Sequence, residues 1–168
     1  MRPFTVDANA IALFQQERIS ARPGEGIAAI SAITAQNHIA LDVEKLCLQE
    51  WMNSAEGKLP FALSDWINDM MAVGKIKLYK LSENSCRKKL LNFGLPKDDH
   101  KWVRLALGSE GRIIVSGDVD FLEPKQKRAN KEVKDKIRSS GKGSCAKSLN
   151  KEFDVEVIDT AAVPAYLS

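Results

Sequence analysis

The chain has 168 residues, of which 44% are hydrophobic and 28% charged, and its formal net charge is +3. This composition is typical of a single globular domain, because a chain of this length can bury a core without disulfide bonds. It argues against a largely disordered protein and against a disulfide-held miniprotein.

Three cysteines lie far apart in the sequence and form no CxxC pair; they are Cys47, Cys86 and Cys145. This arrangement argues against a disulfide framework and indicates a reducing compartment. No apolar run approaches the roughly 20 residues that a membrane helix needs. The first residues also lack the apolar centre of a signal peptide. We therefore expect a cytoplasmic protein without membrane association.

Short runs of β-forming residues alternate along the chain with stretches of helical period. The predicted strands are 4–7, 38–42, 75–79, 112–116 and 155–159. Helices are predicted at 43–52, 63–71 and 99–107. Strands that alternate with helices favour the α/β class. We predict a three-layer α/β/α fold with a central parallel sheet of about five strands, in a single domain that spans residues 1–168.

One segment, residues 125–151, differs in composition from the rest. It contains ten basic and two acidic side chains, a net charge of +8 that leaves −5 for the remaining residues. We interpret it as a basic insertion before the last strand, with a mobile loop at 139–144. It is either a solvated surface, a clamp on a nucleic-acid backbone or a docking face for an acidic partner. The nucleic-acid-binding candidates are Lys125, Lys127, Arg128, Lys131, Lys134, Arg138 and Lys142.

Aspartates follow two predicted strands that are short and apolar. Asp7 ends the first strand, and Asp118 comes two residues after the fourth. Ligands of open α/β sheets bind at the carboxyl ends of the strands. Either aspartate alone is equally well explained as a helix cap. Two of them at one edge of a sheet favour a functional site.

Two further acids are expected to join them from helices. The spacing of Glu50 from Leu46 places Glu50 on the inward side of its helix, and Asp99 opens a later helix. Two like charges about 4 Å apart repel by on the order of 4 kcal/mol at an effective dielectric constant of 20. Such a cluster needs a cation or protons. Ligation by oxygen alone, without histidine or thiolate, favours Mg²⁺ or Mn²⁺.

These residues resemble the pattern of the PIN-domain nucleases over about residues 4–124. Four elements appear in the family's order: Val6-Asp7-Ala8-Asn9, then Leu46 to Glu50-Trp51, then Asp99 to Trp102 and Ala106, and then Ser116-Gly117-Asp118-Val119-Asp120-Phe121. The last element is the most specific. Glu44 competes with Glu50, and Asp98 competes with Asp99. We favour Glu50 because an aromatic residue follows it, and Asp99 because of its spacing to Trp102 and Ala106.

The resemblance implies a metal-dependent endoribonuclease that uses Mg²⁺ or Mn²⁺. The implied catalytic metal ligands are Asp7, Glu50, Asp99 and Asp118. Asp120 is either an auxiliary metal ligand or a turn residue. Asn9 and Ser116 are auxiliary groups that hold a ligand or a phosphate.

The resemblance also suggests a setting for this activity. Its substrate is RNA, and its partners include an inhibitory antitoxin and a second copy of the chain. The role is that of a toxin in a toxin–antitoxin pair or of a defence effector. Two other readings stay open: an inactive PIN-like module that binds RNA or protein, and a doubly wound domain in which Asp7 accepts a phosphoryl group.

Overall fold

The computed structural model describes residues 1–55 and 60–168, and within them strands and helices alternate as expected. The strands are β1 Pro3–Val6, β2 His38–Asp42, β3 Ile76–Tyr79, β4 Ile113–Ser116 and β5 Glu156–Asp159. All five predicted strands are confirmed to within one residue at each end.

Three of the helices coincide with the predicted ones, and others are additional. The helices are α1 Ala8–Ser20, α2 Glu25–Gln36, α3 Leu46–Ser54, α4 Pro60–Ala72, α5 Arg87–Asn92, α6 His100–Gly108, α7 Lys131–Ser140, α8 Ser144–Phe153 and α9 Val163–Leu167. The predicted helices correspond to α3, α4 and α6. The pattern of apolar residues did not predict α1 and α2, which fill the connection between β1 and β2.

The strands form one parallel sheet in the order β3-β2-β1-β4-β5. With helices packed against it, this sheet confirms the predicted three-layer α/β/α class. The chain runs from β1 outward through β2 to β3, and then returns to the other side of β1 for β4 and β5. This reversal of strand order opens a crevice at the carboxyl ends of β1 and β4, where ligands bind in such sheets. Asp7 and Asp118 follow these two strands.

Two buried tryptophans anchor the helices nearest to this crevice. Trp51 of α3 is fully buried, and its indole Nε1 donates a hydrogen bond of 2.9 Å to the carbonyl of Val6 at the end of β1. Trp102 is fully buried on α6, which packs across β1, β2 and β4. The aromatic surface buried at these positions fixes α3 and α6 against the central strands.

The basic segment contains more helix than the sequence suggested. The loop predicted at residues 139–144 is shorter in the structure, because α7 extends to Ser140 and α8 begins at Ser144, which leaves residues 141–143 as the connection. Gly141 ends α7 in the left-handed conformation that glycine tolerates best. The second half of the segment is helix α8, which buries Cys145 and Leu149 and leads into β5. Only α7, in which the structure shows no buried residue, retains the character of a basic addition.

The three cysteines are buried and form no disulfide in the described part of the chain. Among residues 1–55 and 60–168, no helix is long and apolar enough to cross a membrane.

Candidate functional site

Asp7 lies at the centre of the crevice. Its side chain is only 5% exposed. One carboxylate oxygen accepts a hydrogen bond of 2.7 Å from the backbone N–H of Ala8, and the other accepts one of 2.9 Å from the hydroxyl of Ser116. Asp7 therefore caps α1, and it also faces the end of the neighbouring strand. The capping and functional interpretations are both compatible with this position.

Ser116 and Asn9 hold the ends of β1 and β4 together. The Ser116 hydroxyl donates to Asp7 and accepts hydrogen bonds of 3.3 Å from the Asn9 amide and from the Asp118 backbone N–H. The carbonyl oxygen of Asn9 accepts the N–H of Gly117 at 2.9 Å. Both predicted auxiliary residues thus lie in the site. Ser116 holds the Asp7 carboxylate directly, and Asn9 holds the backbone after β4.

Burial and the charges of neighbouring acids raise the pKa values of Asp7, Asp99 and Asp120. Burial raises the pKa of Asp7 from about 3.8 to about 7, and the negative charges of Asp99 and Asp120 add to this effect. Burial also raises the pKa of Asp99 to about 6, with further contributions from Asp120 and Glu50. The pKa of Asp120 is raised chiefly by burial and then by Asp118. Five acids from four parts of the sequence are therefore electrostatically connected.

The structure favours Asp99 over Asp98. Asp98 is exposed, whereas Asp99 is partly buried. Asp99 precedes α6 but makes no capping hydrogen bond with its side chain among the described residues. Its carboxylate is therefore not committed to the helix end.

Asp118 and Asp120 differ in how their carboxylates are used. Asp118 accepts a hydrogen bond of 2.6 Å from the backbone N–H of Val119. Asp120 has a carboxylate oxygen, Oδ1, that is buried without a hydrogen-bond donor from the described part of the chain. Asp120 also influences Asp7 and Asp99 directly, although the motif ranked it as auxiliary. The structure thus gives Asp120 a more central position than the sequence did.

Glu50 lies at the side of the site and forms an ion pair with Lys101 of α6. The argument from Leu46 was wrong, because Leu46 is 48% exposed and α3 instead buries Cys47 and Trp51. Glu50 is consequently half-buried at the edge of the inward face. Its competitor Glu44 lies outside this cluster, since its carboxylate accepts the backbone N–H of Leu81 at 3.3 Å.

The donor set suits a hard divalent cation in its chemistry. It consists of carboxylate oxygens with unbalanced negative charge, and Asp120 Oδ1 has no donor within the described residues. Among the same residues, no three acidic, histidine or cysteine side chains are grouped closely enough to hold a metal ion by themselves. Mg²⁺ commonly takes only one or two carboxylates and completes its shell with water and substrate phosphate. The residues therefore fit such an ion as an open site.

No match to this chain is found among family models, curated proteins or solved structures.

The predicted nucleic-acid-binding residues fall into two groups. Lys127 and Arg138 are already bound to acids, whereas Lys125, Arg128, Lys131 and Lys142 are exposed and Lys134 is partly exposed. Lys127 approaches Asp120 at 3.7 Å. Arg138 donates to Asp159 at 2.8 Å and to Glu25 at 2.9 Å, so its guanidinium joins α7 to β5 and α2. We therefore assign Arg138 to the structure of α7 and not to RNA contact.

Lys101 is the residue of this site that sequence reasoning missed. Its Nζ pairs with Glu50 and donates to the Asp98 carbonyl at 2.7 Å. The signal was its place two residues after Asp99 at the start of a helix, which puts a cation beside the acids. Lys101 lies outside the basic segment, and a single lysine does not by itself indicate a site.

Proposed function

We propose that the protein is a Mg²⁺- or Mn²⁺-dependent endoribonuclease of the PIN-domain type. The observation that carries this proposal is the set of mutually repelling carboxylates at the carboxyl ends of β1 and β4. Asp7 is buried there, and its pKa is raised by burial and by Asp99 and Asp120. Buried like charges of this kind are costly to folding, and they are characteristic of functional sites.

Each residue has a distinct task in this proposal. Asp7 and Asp120 would hold the cation, and Asp99 would add negative charge beside them. Ser116 fixes the orientation of the Asp7 carboxylate, as groups behind metal ligands commonly do. A bound divalent cation supplies a water of lowered pKa and offsets the charge that develops on the phosphate.

Glu50 and Asp118 have more peripheral tasks. Glu50 is paired with Lys101 and so lies at the border between the acids and the basic surface beyond them. Asp118 is tied to the backbone of Val119 and acts on Asp120 through its charge. We expect both to tune the site more than to form its centre.

The resemblance to PIN-domain nucleases, rather than the geometry, supports RNA as the substrate. It also supports a role as a toxin or defence effector with an antitoxin as partner, and a homodimer as the assembled form. The cluster of acids supports hydrolysis of a phosphodiester with equal force for RNA and DNA.

A second candidate is a PIN-like module that binds RNA or protein without cleaving it. Lys101 and Lys127 lie beside two of the five acids and partly neutralise them. The three-ligand group of a preformed metal cage is also absent from residues 1–55 and 60–168. Both observations favour a site whose charge is balanced by the protein itself.

Cleavage of labelled RNAs and single-stranded DNAs in Mg²⁺, Mn²⁺ or EDTA separates the two candidates. The wild type is compared with Asp7→Asn, Asp118→Asn and Glu50→Gln, and with Glu44→Gln as the matched control. Glu44 is a suitable control because it lies just before α3, the helix that carries Glu50. Among the described residues its side chain bonds only to the backbone of Leu81.

We expect metal-dependent cleavage of RNA that is lost in Asp7→Asn, is reduced in Asp118→Asn and Glu50→Gln, and persists in Glu44→Gln. Cleavage that survives EDTA or the Asp7 substitution would contradict the proposal. RNA binding without cleavage in any metal would establish the binding module instead.

A further inference from the structure

A second basic surface, separate from α7, lies beside the ion pair of Glu50 and Lys101. It is a groove of about 430 Å³ between α3, the turn before α5 and the start of α6. Its lining includes four cations, Arg87, Lys97, Lys101 and Arg104, and a single acidic side chain, Asp98. We call this surface the α6 groove. Its cations come from separate segments, so no charge run in the sequence indicated it.

Two of these cations are available to a ligand. Arg87 and Lys97 are exposed, and their side chains have no hydrogen-bond or ion-pair partner among the described residues. Arg104 is oriented by a hydrogen bond of 2.8 Å from its Nε to the Ser82 carbonyl. The groove therefore has both free charges and a positioned guanidinium, which suits contact with phosphate oxygens.

The groove is continuous with the acidic site. Lys101 lines the groove and is paired with Glu50, while Gln49, the residue before Glu50, lines it as well. Asp98 lies in the groove and is followed in the chain by Asp99. A strand whose phosphate is held at Asp7 and Asp120 can thus extend past Lys101 into the groove.

We propose that the α6 groove binds the phosphate backbone of a single RNA strand next to the cleaved bond. This inference rests on the proposed nuclease function, because the groove is assigned the path of the RNA which that nuclease would cleave. The one aromatic ring in the lining of the groove, among the described residues, is the imidazole of His100, which is buried and hydrogen-bonded through Nε2 to the Leu95 carbonyl at 2.9 Å. The contacts are therefore to phosphate and sugar and not to stacked bases. The groove carries affinity, not sequence preference.

The test measures RNA binding separately from cleavage. The protein carries Asp7→Asn throughout and is kept in EDTA, and the probe is a fluorescein-labelled, unstructured 20-nucleotide RNA followed by anisotropy. Arg87→Ala with Lys97→Ala forms the groove variant. Lys75→Ala with Lys151→Ala is the control for charge, because these lysines lie just before β3 and in the last turn of α8, toward the amino ends of the strands.

We expect the groove variant to bind at least about 10-fold more weakly at low salt. Its slope of log affinity against log salt should be smaller by about 1.4, because each phosphate contact in a single strand contributes about 0.7. The control pair should lose much less. Thermal unfolding checks that all variants fold.

Equal loss in the groove variant and the control pair would overturn the proposal, as would failure of the parent protein to bind the RNA. Loss of affinity only with Lys131→Ala and Lys134→Ala would also overturn it and would assign the strand to α7. Absence of metal-dependent cleavage in the wild type, with groove-dependent binding intact, would reject the nuclease and leave the groove as an RNA site.

Discussion

The two flanks of the acidic site each pair an acid with a lysine, but they do so differently. On the α6 flank, Lys101 is on a helix packed across the central strands, its side chain is 18% exposed, and it contacts Glu50 directly. On the α7 flank, Lys127 follows a short turn, is 56% exposed, and approaches Asp120 only to 3.7 Å. Asp7 is buried and, in the described structure, has no ion-pair partner.

This difference separates a structural charge pair from an exchangeable one. A partly buried pair on rigid elements belongs to the folded frame, whereas an exposed lysine near a buried carboxylate is easily displaced by another cation. Asp120, with a buried oxygen that has no donor in the described residues, is then the acid most ready to receive an ion. Glu50 is the acid least ready to receive an ion, because Lys101 is already paired with it.

The largest expected effect is on RNA cleavage, and it tests whether Asp120 matters more than Glu50. Asp120→Asn should lower the kcat/KM of metal-dependent RNA cleavage by at least about 100-fold, because it removes a carboxylate that the cation needs. Glu50→Gln should lower it by only about 10-fold, since Lys101 already neutralises that acid. A larger loss for Glu50→Gln than for Asp120→Asn would reverse the assignment of the flanks.

The second largest effect concerns the stability contributed by Asp7, which has no ion-pair partner among the described residues. The pKa of Asp7 is raised in the fold, so folding favours its protonated form; the stability that this form provides is complete below pH 3.8 and is lost as the pH rises toward 7. Asp7→Asn removes this penalty. Its oxygen can keep the hydrogen bond from Ala8, and its amide nitrogen can donate to the Ser116 hydroxyl in place of the bond that Asp7 accepts. Its free energy of unfolding relative to the wild type should therefore increase by about 2 kcal/mol between pH 5 and pH 8.

Urea unfolding in EDTA at the two pH values measures this difference. Glu44→Gln is the control that should show no such trend. A gap between Asp7→Asn and the wild type that does not change with pH would mean that Asp7 is ionised at ordinary pKa in the fold.

The smallest effect compares the two lysines. Lys101→Ala should lower the free energy of unfolding by on the order of 1 kcal/mol, because it leaves Glu50 without its partner at a half-buried position. Lys127→Ala should leave stability unchanged within error, since Lys127 is 56% exposed and its contact with Asp120 is long, at 3.7 Å. Equal losses of unfolding free energy in denaturant titrations of the two variants would show that both lysines contribute equally to stability.

Much of the fold could be predicted from the sequence because its strands are short apolar runs bounded by polar residues. Helix α1 could not, because its buried side includes the polar residues Gln15 and Glu17. Glu17 faces inward to accept the backbone N–H groups of Gly26 and Ile27 at the start of α2, at 3.2 and 2.6 Å. Because this buried carboxylate of α1 caps α2, a charged residue stands on the buried face of α1, and the apolar pattern expected of a helix is interrupted.

The site was predictable where it depends on strand ends and less so where it depends on side-chain direction. Asp7, Ser116 and Asp118 follow from the end of two parallel strands. The relative importance of Asp118 and Asp120 depends on which carboxylate turns toward Asp7, and spacing in the sequence does not determine this. The pairing of Lys101 with Glu50 depends on the packing of α3 against α6, which is a tertiary contact.

The hydrogen bond between Ser116 and Asp7 joins residues that are 109 positions apart. Strand β1 is central, so the sheet cannot be completed until β4 has been synthesised and has closed this long loop on it. Contacts of such separation are slow to form in folding. A nascent chain of this protein therefore carries Asp7 for the synthesis of more than 100 further residues before Ser116 is there to hold its carboxylate.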